Sequence, residues 1–118
     1  MSLYIRNDHG YPVGPLQVMD SQTSTGDGTR LRFDRPVERL ALQVATGSTS
    51  ARVVLYGSLA SSSESAGLTS LIDWDASSAA ADGETRWAAS SEGPVCEVVV
   101  VLEAGASSDG TSAWVAAV

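Results

Sequence analysis

Two runs of strict alternation, separated by a five-residue gap, constrain the fold of this chain more than any other feature. In Glu38–Leu59, ERLALQVATGSTSARVVLYGSL, the first arm sets Leu40, Leu42 and Val44 on one face and Arg39, Ala41, Gln43 and Ala45 on the other. The second arm sets Ala51, Val53 and Leu55 against Arg52, Val54 and Tyr56. Side chains alternate across a strand with period two, so each arm reads as a half-buried β-strand. The gap, TGSTS, is made of turn formers with a glycine free to take φ > 0. The expectation is a β-hairpin around which the other strands assemble.

The rest of the chain repeats the pattern. TRLRFD (29–34) alternates Leu31 and Phe33 with Arg30 and Arg32 and is closed by Arg35-Pro36. After the small, polar loop ASSSESAG, Leu68–Trp74 reads as a strand. A second loop, ASSAAADGE, leads to the short strand TRWAAS, and Ser91-Glu92-Gly93-Pro94 reads as a turn. VCEVVVVLE (95–103) is the most apolar piece. Cys96, Val98, Val100 and Leu102 are assigned to the core, and Val95, Glu97, Val99, Val101 and Glu103 to the other face. Two valines at the centre of that second face are unusual for a solvated surface. Burying each is worth ~1.5–3 kcal/mol, which points either to a strand covered on both sides or to a subunit contact. TSAWVAAV closes the chain as a last strand carrying Trp114.

About eight short strands with regular turn signals and no helical period predict an all-β fold, a single antiparallel β-sandwich or jelly-roll-like domain. The first third differs in texture. Pro12 and Pro15 fix φ and remove donors, so residues 1–28 read as an extended N-terminal arm with an edge strand near Leu16–Met19, and 29–118 as the sandwich. The arm carries Leu3, Tyr4, Ile5, Tyr11 and Val13, more apolar surface than a free tail retains. These residues either fold back on their own domain or lie across a neighbouring subunit.

A chain of 118 residues buries a core without disulfides or metals. Its net charge of −7 disfavours nucleic acid, whose phosphates require Lys and Arg. There is no basic amphipathic helix for a membrane surface and no apolar run near the ~20 residues of a membrane helix. The start, MSLYIRNDHG, lacks the pattern of a signal peptide. The expectation is a soluble protein that stays where it is made unless it leaves in a larger particle.

The chemistry-bearing residues assemble no reaction. His9, the only histidine, lies in the turn-like NDHG, and Cys96 lies on a strand's core face, where a thiol behaves as a small hydrophobe. One histidine and one cysteine make no zinc site. Asp73, Asp75 and Glu84 suggest a calcium loop, but Ser78 stands where the sharp turn requires glycine. No phosphate-binding glycine motif is present. No enzyme, cofactor or metal is expected. Trp74, Trp87 and Tyr56 are the candidates for a sugar-stacking platform, although strand aromatics are more often core.

The segment LQVATGSTSARVVLYGSLASSSESAGLTSLI resembles a recurring pattern in structural proteins of tailed bacteriophages, in which a "V-x-L-x-GSL" strand follows a strand ending near a glycine. Val53, Leu55, Gly57, Ser58 and Leu59 match that strand, and Leu68 and Leu71 stand near the next. Gly93, Pro94 and Val95 are in register with a "G-x-P-V-R-Y-V-R" strand, where Cys96 and Glu97 replace the usual aromatic and basic positions. The likeness covers roughly Leu40 to Val118. Size, acidity and the apolar arm look most like a capsid decoration protein. That resemblance implies a virion protein made in the host cytoplasm, sitting on the capsid exterior, often as a homotrimer, and bridging capsomers of the major capsid protein. Leu3, Tyr4, Ile5, Tyr11, Val13, Val99 and Val101 would be its interface residues. The alternative is a carbohydrate- or receptor-binding module of a phage tail or baseplate, using Trp74 or Trp87.

Overall fold

The computed structural model of the protein describes residues 2–6, 13–58, 68–76 and 85–117, and of 2 and 85–93 the backbone alone. Its elements are β1 (Ser2–Ile5), β2 (Val13–Gln22), β3 (Gly26–Asp27), β4 (Arg30–Thr46), β5 (Arg52–Ser58), β6 (Thr69–Asp75), β7 (Thr85–Ala104) and β8 (Thr111–Ala117). The chain is all-β, and its strands form a β-sandwich. Strand order runs β2-β8-β4-β7-β5-β6, with β1 added to β4 and β3 to β7.

β4 and β7 span 17 and 20 residues and belong to both layers. The second half of β4, Arg39–Thr46, lies between β7 and β8, and β2 closes that layer. Its first half, Arg30–Phe33, lies between β1 and the Glu97–Val98 part of β7, whose second half pairs with β5. The sequence reading split each of these strands in two, at Arg35-Pro36 and at Ser91–Pro94. Both prolines instead sit where the strands bend. The β4–β7 register slips between Arg32 and Val37 and again before Arg39, with Val37 opposite Val95. A proline lacks the ladder donor, and a bulge accepts it without a lost bond. The count remains eight because β1 and β3 were not expected as strands.

Two further expectations are corrected. The arms of Glu38–Leu59 are not a hairpin: β7 runs between β4 and β5, and the two arms make no ladder with each other. They face each other across the sandwich, so Leu42 and Val44 meet Val53 and Leu55 in one core. Alternation reports which face is buried, and a Gly/Ser gap serves a layer crossing as well as a hairpin turn. The sheet is also not wholly antiparallel, because β1 pairs parallel to β4, Ser2 opposite Arg30 through Ile5 opposite Phe33. The edge strand expected near Leu16–Met19 is present as β2, which among the described residues pairs with β8 alone.

The core draws Leu31, Leu40, Leu42 and Val44 from β4, Val98, Val100 and Leu102 from β7, and Trp74 from β6. Val95 joins it, but Cys96 is only half-buried and Glu97 is buried. The alternation of β7 therefore breaks at Cys96, where the strand passes from one layer to the other.

Candidate functional site

The outer face of the β2–β8–β4 layer is built from the residues that alternation turns away from the core. β8 buries Thr111, Ala113, Val115 and Ala117, which leaves Ser112, Trp114 and Ala116 on the other side. Trp114 is half-buried and stands opposite Gln17 of β2 and Gln43 of β4, both exposed. The three form one row across the strands. Its neighbouring positions are small: Ala41 faces Ala116 and Ala45 faces Ser112. A flat indole rimmed by alanines and two primary amides offers an apolar plate, with a donor and an acceptor on each flank.

The next row along opens into a cleft of about 350 Å³ lined by Ser21, Ala45, Thr46, Asp109 and Ser112. Ser112 Oγ accepts the Ser21 N–H at 3.0 Å. Thr46 Oγ1 shares a hydrogen bond of 2.9 Å with Thr111 Oγ1 and accepts the Ser48 N–H at 3.1 Å. Ser21 has φ +48, a left-handed value uncommon for serine. Gly110, at φ +82, allows it, since a Cβ there would lie 2.7 Å from the Ser21 backbone. Sequence reading placed Trp114 only in a final strand. The signal was its position on the opposite face from Ala113, Val115 and Ala117.

The opposite outer face is closed by its own side chains. Arg52 donates to Asp73 from Nε at 3.1 Å and from Nη2 at 2.6 Å, with Glu103 3.7 Å from Nη1. Tyr56 Oη donates to Glu103. The hydrogen bonds from Arg52 hold the Asp73 carboxyl below its usual range, and those to Asp73 hold Arg52 above its own. The bond to Glu103 raises the Tyr56 hydroxyl. A carboxyl lowered by folding stabilises above its unfolded value and loses that contribution as pH falls through the folded one. Both partners are almost half exposed, so the effect is small. Asp73→Asn is expected to lower the unfolding midpoint slightly at neutral pH, and the gap to the parent is expected to close in acid. A gap that persists in acid would show that the ion pair is not its source.

The residues proposed from sequence fall in several places. Trp74 is 3% exposed and sits in the core, so it is no sugar platform. Tyr56 is engaged by Glu103 and Asp73 by Arg52. Trp87 stands in register with Val44, and its side chain lies outside the described residues, as do His9, Tyr11, Asp82 and Glu84. Val99 is 1% exposed within the single chain, which leaves it no surface for a neighbour, and Val101 is half-buried. Leu3 and Tyr4 are 43% and 69% exposed. Arg32 Nη1 donates to Tyr4 Oη at 2.8 Å, and the guanidinium stands 5.3 Å from the ring centre. Ile5 and Val13 pack against the core. Among the described residues no group of three or more His, Cys, Asp or Glu could hold a metal ion.

No family model and no curated protein matches the sequence. Among solved structures, the fold is similar to the K2 cleaved adhesin domain of Lys-gingipain, with TM-score 0.58 at 8% identity over 78% of this chain and 63% of that one. It is also similar to the K3 cleaved adhesin domain of Lys-gingipain from Porphyromonas gingivalis, with TM-score 0.51 at 14% identity over 82% and 55%. The K1 domain gives TM-score 0.51 at 11% identity over 85% and 59%. The chain spans less than two thirds of each of these structures. At such identities the likeness is one of fold, a β-sandwich.

Proposed function

We propose that this chain is a non-catalytic binding module that holds a saccharide on the outer face of the β2–β8–β4 layer, stacked on Trp114. The observation that carries this is the row Gln17–Trp114–Gln43 opening onto a hydroxyl-lined cleft. A sugar ring has an apolar C–H face and a rim of hydroxyls. The indole covers the first, and the two amides pair with the second. The fold neighbours bear the name adhesin, and a binding role on such a sandwich agrees with the reading.

The test is Trp114→Ala, assayed for binding to immobilised glycans. Affinity is expected to fall at least ~10-fold, about 1.4 kcal/mol. The unfolding midpoint should move little, because the ring lies outside the core. Unchanged binding, or a parent chain that binds no glycan, would overturn the proposal.

A second reading draws on β1, whose exposed Leu3 and Tyr4 stand on a strand that among the described residues pairs with β4 alone. On that reading the chain is a virion structural protein on the capsid exterior, a trimer whose β1 edge meets the major capsid protein. Its copy number in purified particles, relative to that protein, separates the two. A ratio near one or a simple fraction of it supports decoration, and absence from particles overturns it.

A further inference from the structure

Trp114 stands in a row that runs across the layer, and the row sets how a saccharide lies on it. β8 lies between β2 and β4, and β4 lies between β8 and β7. Gln17 is opposite Trp114, Trp114 is opposite Gln43, and Gln43 is opposite Ala88. Neighbouring strands are about 4.8 Å apart, so the four positions span about 14 Å. Adjacent strands turn by only about 20–25°, which keeps the row close to straight. A pyranose ring linked at its opposite corners advances a glycan by close to one strand spacing. With one ring stacked on Trp114, the ring on either side therefore falls over a glutamine.

The direction along the strand offers less. Ser112 and Ala116 are the next outer-face positions of β8, each about 7 Å from Trp114. Ala116 faces Ala41, so on that side the two strands offer a ring only methyl groups. Across the strands both sides are alike. Gln17 and Gln43 are exposed, and a primary amide carries an acceptor oxygen and two N–H donors. One of these groups can take a hydroxyl of the stacked ring and another a hydroxyl of the ring beyond. Gln17 uses one N–H on the Met19 carbonyl at 3.4 Å, which leaves its oxygen and second N–H for that pairing.

We infer that the row holds three consecutive rings of an extended, equatorially linked glycan lying across the strands, with Gln17 and Gln43 each bridging the stacked ring to a neighbour. This rests on the glycan-binding reading above. Equatorial linkages at opposite corners of each ring carry a glycan forward as a flat ribbon, so all three rings stay over the row. An axial linkage bends the glycan at every ring, and the rings beyond Trp114 then leave the sheet.

The experiment titrates the full chain with soluble mono- and trisaccharides of glucose and of mannose, the trisaccharides joined through equatorial linkages in one set and axial linkages in the other. The parent is expected to bind the better equatorial trisaccharide at least ~10-fold more tightly than its monosaccharide, and by the same margin over the axial trisaccharide, about 1.4 kcal/mol in each comparison. The double variant Gln17→Ala, Gln43→Ala changes two exposed side chains, and circular dichroism checks its folding. It is expected to bring trisaccharide and monosaccharide to within ~3-fold of each other, about 0.7 kcal/mol. Equatorial and axial trisaccharides bound equally, an unchanged gain with length in the double variant, or no binding of either set would overturn the inference. If immobilised glycans were still held through Trp114 in that case, the glycan-binding reading would stand. Loss of all glycan binding by the parent would overturn both.

Discussion

Gly105→Ala is expected to be the most damaging single-methyl change in the described chain, lowering the free energy of unfolding by ~3 kcal/mol or more. Gly105 has φ +75, where a Cβ is itself strained, and that Cβ would lie 2.3 Å from both the carbonyl carbon and oxygen of Ser50 and 2.4 Å from Ala51 N. These are backbone atoms, and they are held in place. Ala51 is fully buried, and its carbonyl accepts the Ala76 N–H at 2.9 Å. The contact joins the end of β7 to the corner where the chain crosses from β4 to β5, so relief requires moving one layer against the other. Gly26 is the control: its φ is +144, yet nothing lies within 4 Å of the added Cβ. Gly26→Ala is expected to cost about 1 kcal/mol, from the backbone alone. Urea midpoints of the two variants measure the difference. Equal losses would mean that the approach to Ser50 is not tight.

Arg30→Met is expected to cost ~2–4 kcal/mol, toward the lower part of the range for breaking a buried ion pair because Arg30 keeps contact with water. Arg30 Nη1 stands 2.7 Å from Glu97 Oε1, with the arginine side chain 33% exposed and the glutamate 4%. The glutamate is the side that matters. It lies on β7 next to the place where the strand changes layer, and among the described residues Arg30 is its hydrogen-bond partner. Removing the cation leaves a buried carboxylate unpaired. Arg30→Met combined with Glu97→Leu removes the charge as well and is expected to recover most of the loss, since an apolar pair of similar volume substitutes well for a buried salt bridge. A double variant no more stable than the single one would show that the pair's shape, and not its charge, was the source of the cost.

The two variants test features that differ in how readable they were. Glu97 appears in the sequence as a polar residue on a valine-rich strand, and alternation assigned it to the face away from the core, either covered within the chain or set against a subunit. Its burial comes from β4, sixty-seven positions away in sequence, which supplies Arg30. Gly105 appears as one glycine in a loop of small residues, AGASSDG. What makes it irreplaceable is the Ser50 backbone, brought there by a layer crossing that the sequence reading took for a hairpin.

The candidate site divides in the same way. The alternation in TSAWVAAV already separates Trp114 from the buried Ala113, Val115 and Ala117, so the outward-facing aromatic was legible, although the reading favoured Trp74 and Trp87. Trp74 lies on the apolar face of its strand, between Ile72 and Ala76, and it is buried with them. The placing of Gln17 and Gln43 beside Trp114 was not legible, because it depends on β8 lying between β2 and β4.

Local sequence, through period-two alternation and the turn formers between its runs, determined that the chain is all-β, where most strands lie and, outside the layer change in β7, which face is apolar. Those properties depend on a residue's near neighbours along the chain. Tertiary structure alone decided which strands are neighbours, that β4 and β7 each serve two layers, and that β1 joins in parallel. Any strand of the right polarity presents the same ladder of N–H and C=O groups. The choice among partners is made by packing the whole core at once, with Leu42 and Val44 meeting Val53 and Leu55 across the sandwich.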